Sequence, residues 1–321
     1  MAIAPLTINN VAVKPGKSEI IKIPVGRLPS GNQILIRAHV YHSKKAGPRV
    51  LVMGGVHGDE INGVEIVRRA VTEDLFEDLT KGSVIAIPLL NVYGFINFSR
   101  DVTDGKDVNR SFPGSSAGSL ASRIAGTISR KILPYIDFGV DFHTGGKYLY
   151  NYPQIRFSKG DARSMELAKA FGAPYLVAMP MINKSLRKAA WSEGKPILVY
   201  EGGETLRYDG LSIQNALTGI RRLLQAQGML AEQAAPAESL LLNKTTWMRA
   251  PLAGMFRWYK CAGHKVLKGE PLGIINDPFG LEALPLYAPR AGHIIGHNNA
   301  PVVNQGDPLF HIGYEATSGE A

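Results

Sequence analysis

Three short segments of the chain combine glycines with histidine or carboxylate side chains. The first is Gly54-Gly55-Val56-His57-Gly58-Asp59-Glu60. His57 and Glu60 lie three apart where a loop enters a helical pattern, so both side chains can point the same way. An imidazole beside a carboxylate suits Zn²⁺, which takes nitrogen and oxygen ligands. The second segment is Asp141-Phe142-His143-Thr144-Gly145-Gly146. His143 would complete a set of two histidines and one glutamate and leave a fourth position for water, as in catalytic rather than structural zinc sites. Asp141 could orient an imidazole or a nearby loop. The third segment is Tyr200-Glu201-Gly202-Gly203-Glu204. A carboxylate leaving a strand onto a glycine turn suits a general base acting on activated water. Glu204 competes for that role but sits beyond the glycines. Taken singly, each segment also has an ordinary reading: a helix start, a packed histidine, a loop carboxylate.

A polar stretch from Asn97 to Gly114 runs between the first two segments. It has little apolar periodicity and reads as a long loop, and such loops in compact domains often carry function. Within it, Arg100, Asn109 and Arg110 could hold a substrate carboxylate and steady a developing oxyanion. Surface arginines in a polar loop are the plain alternative.

The elements that must position these groups alternate. Apolar runs at 49–55, 83–91, 136–143 and 196–203 read as strands buried on both faces. Segments 60–75, 120–133, 162–172 and 211–230 carry helical periodicity. That order predicts an α/β fold, a mostly parallel mixed sheet flanked by helices, with chemistry at the carboxyl ends of the strands. Segment 231–240 reads as a linker or a frayed helix end. It separates a domain over 1–240 from a β-rich domain over 241–321. The tail contains a repeat: Pro251-Leu252-Ala253-Gly254 matches Pro289-Arg290-Ala291-Gly292, and Gly269-Glu270-Pro271-Leu272 matches Gly306-Asp307-Pro308-Leu309. Two similar β units imply a small all-β module with pseudo-twofold symmetry. Their pattern resembles the halves of biotinyl/lipoyl-type barrels. The stretch between them, 276–289, has no lysine for a carried group, so a structural or site-covering role is expected.

Composition excludes several classes. With 45% hydrophobic and 20% charged residues, the chain can bury a large core. The net charge of +9 is not gathered into basic runs, so no nucleic acid partner is expected. A diffuse positive field fits small anions equally well. One cysteine, Cys261, permits no intrachain disulfide. The start lacks a signal-peptide pattern and no run of apolar residues is long enough to span a bilayer, so no membrane association and a cytoplasmic location are expected. The glycines of 54–63 form neither a dinucleotide fingerprint nor a P-loop.

In this order, H-G-D-E, D-V-N-R, D-F-H-T-G and V-Y-E-G-G resemble the succinylglutamate desuccinylase/aspartoacylase family of the zinc carboxypeptidase-like group. The motifs span residues 49–204, and the β tail after 243 is similar to the family's C-terminal domain. The resemblance implies that His57, Glu60 and His143 hold one Zn²⁺ per chain, that Glu201 is the catalytic glutamate, and that Asn109 and Arg110 hold a substrate carboxylate. Arg100 matches the oxyanion arginine less closely, because the intervening loop varies in length. The expected activity is zinc-dependent removal of an acetyl- or succinyl-class group from a small anionic N-acyl amino acid. A zinc carboxypeptidase and a non-catalytic metal or small-anion binding protein are the alternatives. An assembly of identical chains is compatible with the sequence.

Overall fold

A computed structural model of the chain describes residues 3–28, 30–232, 235 and 237–315. Its frame is a thirteen-stranded mixed sheet. At the centre, Ser83–Ile87, Arg49–Gly54, Phe138–Gly145 and Ile197–Glu204 lie side by side and parallel. Their carboxyl ends therefore share one edge. Antiparallel strands flank this core. On one side are Gln33–His42 and Lys17–Arg27, a long hairpin from the first 48 residues whose alternation the sequence reading passed over. On the other side lies Leu149–Ser158.

Alternate side chains of the central strands enter opposite layers, as the two-residue period of a strand requires. Leu51 and Met53 join one core with Ile124 and Ile128 of the helix Leu120–Lys131. Val50 and Val52 join the other with Ile66, Phe171 and Leu217, from the helices Ile61–Thr72, Ala162–Phe171 and Gly210–Ala226. The last helix starts where expected because the Asp209 carboxylate accepts from the Ser212 N–H at 2.6 Å. The expected strand 83–91 stops at Ile87, since Pro88 offers no N–H and the chain turns into the short helix Val92–Ile96. Among the described residues, no helix is long and apolar enough to cross a membrane.

The repeat in the tail forms two interleaved units. Gly254–Trp258 pairs with Pro271–Asn276, and Gly292–Asn298 pairs with Pro308–Tyr314. Each unit lends a two-residue strand to the other: Lys265–Val266 joins Gly292–Asn298, and Val302–Val303 joins Gly254–Trp258. The tail does not keep its strands to itself, however. Gly296 pairs with Asn151, so Gly292–Asn298, Pro308–Tyr314 and Lys244–Arg249 continue the large sheet past residue 240. Within the expected linker, Gln233, Ala234 and Pro236 lie outside the described residues.

Candidate active site

The three glycine-rich segments meet at the shared edge of the parallel core. Gly54 is paired with Phe142, and His143 with Glu201, across neighbouring strands. After Gly54 the chain must turn at once. Gly55 does so at φ +64°, and a side chain at Gly58 would fall within 2 Å of the Gly94 backbone. The turn delivers His57 and then Glu60, the residue just before the helix Ile61–Thr72. Glu60 makes no helix-capping hydrogen bond because its carboxylate is turned into the site.

His57, Glu60 and His143 are all buried, and their ligand atoms lie within 4.8 Å of one another. The Glu60 carboxylate reaches His57 Nδ1 with one oxygen and His143 Nδ1 with the other, each at 2.7 Å. The two Nδ1 atoms are 3.2 Å apart. Each imidazole is held from behind. His57 Nε2 faces Asp107 at 3.2 Å, and His143 Nε2 faces Asp141 at 2.8 Å. Carboxylates that accept the Nε2–H groups turn both Nδ1 atoms inward. Tetrahedral zinc with bonds of about 2.0–2.1 Å would set two ligand nitrogens about 3.3 Å apart, close to the spacing seen here. The donor set thus fits a divalent cation that takes nitrogen and oxygen ligands.

The electrostatics point the same way. Burial alone would lower both imidazoles. For His57, Glu60 and Asp107 outweigh it and raise the pKa. For His143, Asp141 and Glu60 raise it well above the ordinary value. Burial would raise Glu60, but the two imidazoles hold it well below the carboxylate range. Asp107 is likewise held down, against burial, by His57 and Arg100. Two carboxylate-backed imidazoles sharing one further carboxylate make a nest for positive charge, whether protons or a metal ion. Arg100 borders it: Nη1 lies 3.1 Å from Glu60 and Nη2 3.0 Å from Asp107.

Glu201 lines the same cavity, which has a volume of about 310 Å³. Arg156 Nη1 donates to one of its oxygens at 2.7 Å, and Asn151 Nδ2 to the other at 2.9 Å. Asn109 and Arg110 line the cavity too. Asn109 Oδ1 accepts from the Leu186 N–H at 2.9 Å, which leaves its Nδ2 to donate. Arg110 is half-exposed and bonds to the Asn109 carbonyl at 2.8 Å. Glu204, the competing carboxylate, is instead held by Asn299 and Arg207, away from this cavity.

Several lining or supporting residues, Asn151 among them, carry no signal in the sequence that marks them for the site. Asp107, by contrast, stood in plain view as the first letter of D-V-N-R. Arg156 is an alternate position of a strand, and Trp247 comes from the C-terminal strand Lys244–Arg249. Arg187 lies on the short helix Leu186–Trp191, where no periodic signal marks it. It is 7% exposed, its Nη1 has no partner, and no carboxylate pairs with it among the described residues. Burial, then Arg156, pulls its pKa down to about 10, so it stays charged at neutral pH. A larger, shallower groove of about 1070 Å³, beside Tyr148, Trp258 and His264, gathers no comparable set.

This fold and this edge-of-sheet cluster define a class. Residues 46–227 match the Succinylglutamate desuccinylase/Aspartoacylase catalytic domain, more than half of the chain, and the protein belongs to that family. It is accordingly a hydrolase of amide bonds. The chain is 27% identical to the N-alpha-acetyl-L-2,4-diaminobutyric acid deacetylase of Halomonas elongata, over 91% of this chain and 90% of that one. It superposes with a TM-score of 0.81 and 28% identity on the product-bound ectoine utilization protein EutE (DoeB) of Ruegeria pomeroyi, over 92% of this chain and 94% of that one. A succinylglutamate desuccinylase/aspartoacylase from Rhodobacter sphaeroides gives 0.83 and 26%, over 94% and 96%.

Proposed function

We propose that the protein is a zinc-dependent deacylase of small N-acyl amino acids, acetyl ahead of succinyl. The observation that carries this reading is a single cavity that holds the His57–Glu60–His143 cluster, Glu201 and the Arg187 guanidinium, whose Nη2 donates to the Pro180 carbonyl at 2.5 Å while its Nη1 has no partner. When bound, zinc would acidify a water molecule and polarise the amide carbonyl. Glu201 takes the proton from the attacking water and returns it to the leaving amine nitrogen. Water thereby adds across the amide bond, giving a carboxylate and an amine. Arg100 donates to the oxygen on which negative charge develops, an effect typically worth about 3–4 kcal/mol. Arg187, with Asn109 Nδ2 and Arg110 at the rim, holds the substrate carboxylate.

The ranking of acetyl over succinyl has two supports. Arg100 and Arg156 are already paired with carboxylates, which leaves Arg187 to receive one substrate carboxylate rather than two. The Halomonas elongata relative is named as an acetyl-group deacetylase. The cavity volume lies at the low end for small-molecule sites, which favours acyl amino acids over the C-termini of peptides. An assay of acetyl-, succinyl- and formyl-amino acids against short peptides decides this. Turnover of acetyl-amino acids, with Glu201→Gln keeping zinc but losing turnover, is the expected result. Cleavage of peptides alone would make the protein a carboxypeptidase, and full activity in Glu201→Gln would remove the glutamate from the reaction.

A further inference from the structure

The Glu201 carboxylate is not left to find its own orientation. Arg156 and Asn151 take one oxygen each, and both come from the strand Leu149–Ser158. Among the described residues, Glu201 is the one carboxylate paired with Arg156. The C-terminal strands reach this arrangement through Asn151. In register across the sheet, Trp247 pairs with His311, His311 with Gly296, and Gly296 with Asn151. The Trp247 and His311 rings are stacked, 4.4 Å apart and 9° from parallel. A side chain at Gly296 would come within 2.8 Å of Asn151 Oδ1, so the glycine makes room for the amide that holds Glu201. His311 is buried, and burial, then the charge of Arg156, pulls it down to about 3.

We propose that Arg156 is a positioning residue for Glu201, and that the Trp247–His311 stack braces Asn151, the second donor to Glu201, through Gly296, so that the C-terminal strands are a working part of the hydrolytic site. The inference rests on Glu201 as the general base. Misplacing such a group by about 1 Å costs on the order of 100-fold in rate. A group that acts only through the base should change kcat and leave substrate binding alone.

The test is steady-state kinetics of the full-length zinc enzyme with its best N-acetyl amino acid, alongside zinc content. In Arg156→Ala, kcat should fall about 100-fold while KM changes less than about threefold and zinc is retained. Added guanidinium ion should restore part of the lost kcat. Arg156→Lys keeps the charge but not the planar fork, and should fall between the two. Trp247→Leu should lower kcat about tenfold through the loosened brace. A rise in KM at unchanged kcat in the Arg156 variants would make Arg156 a substrate ligand and overturn the proposal. Should Arg156→Ala not fold, wild-type kcat in Arg156→Lys and Trp247→Leu would overturn it equally. Absence of any deacylation by the wild-type enzyme is a different result: it rejects the reading on which the inference rests.

Discussion

Four histidines are buried in this protein, and they form two pairs with opposite surroundings. His57 and His143 sit at the edge of the parallel core, each backed by an aspartate and facing Glu60. Their carboxylate neighbours outweigh burial, and both imidazoles are raised. His297 and His311 lie in the C-terminal strands, buried to a similar degree. Among the described residues, neither is paired with a carboxylate, and burial pulls them down to about 4 and about 3. The difference teaches that burial by itself does not mark a candidate metal-binding histidine. What marks it is the negative charge built around it, which costs folding energy unless protons or a metal ion answer it.

The comparison breaks most sharply at Glu60. Glu60→Ala removes the carboxylate shared by the first pair, and we expect loss of bound zinc and of turnover, read by elemental analysis and by assay. A variant with normal zinc would show that the two imidazoles hold the ion without it. A smaller effect is expected one step back. Asp107→Asn leaves the three ligand atoms in place but weakens the hold on His57, and zinc affinity should fall about 10–100-fold in a chelator competition.

The second pair predicts a pH dependence of stability. Its folded pKa values lie below the ordinary value of 6.5. Below pH 6.5 the unfolded chain therefore takes up protons that the folded chain refuses. Stability should fall as the pH drops from 6.5 toward 5, by about 1.4 kcal/mol per pH unit for each imidazole once fully within the window. Urea melts across that range measure the slope, and replacing both His297 and His311 by Gln should flatten it; an unchanged slope would place the acid sensitivity elsewhere. The smallest functional effect belongs to His297→Phe. The Ala262 N–H loses its acceptor on His297 Nδ1, at about 1–2 kcal/mol of stability. Zinc content and kcat/KM should stay within about twofold of wild type, since His297 does not line the cavity of the cluster.

Much of this architecture was legible in the residues themselves. Continuous apolar runs leading into glycines read as buried strands, and three of them at one edge brought His57, Glu60, His143 and Glu201 within one region. The repeat announced two β units, and the structure pairs them as such. The reading stopped where the signal stopped. Residues 17–42 alternate like half-covered antiparallel strands, yet without the continuous apolar runs that drew attention elsewhere. Arg187 and Arg156 are single cations within ordinary helix and strand patterns, and a cation shows its role only through what does or does not face it.

The sequence by itself determined which chemistry was available: two imidazoles and two carboxylates on glycine-punctuated strand ends, with arginines in a long polar loop. Residue type and local period are properties of the chain, and they survive without a fold. The tertiary structure alone decided the pairings. It set Asp107 and Asp141 behind the imidazoles, left Arg187 without a counter-charge, and carried the catalytic sheet into the C-terminal strands through Gly296 and Asn151. Such contacts join residues far apart in the chain, and their energies depend on distance and burial, which no linear pattern encodes.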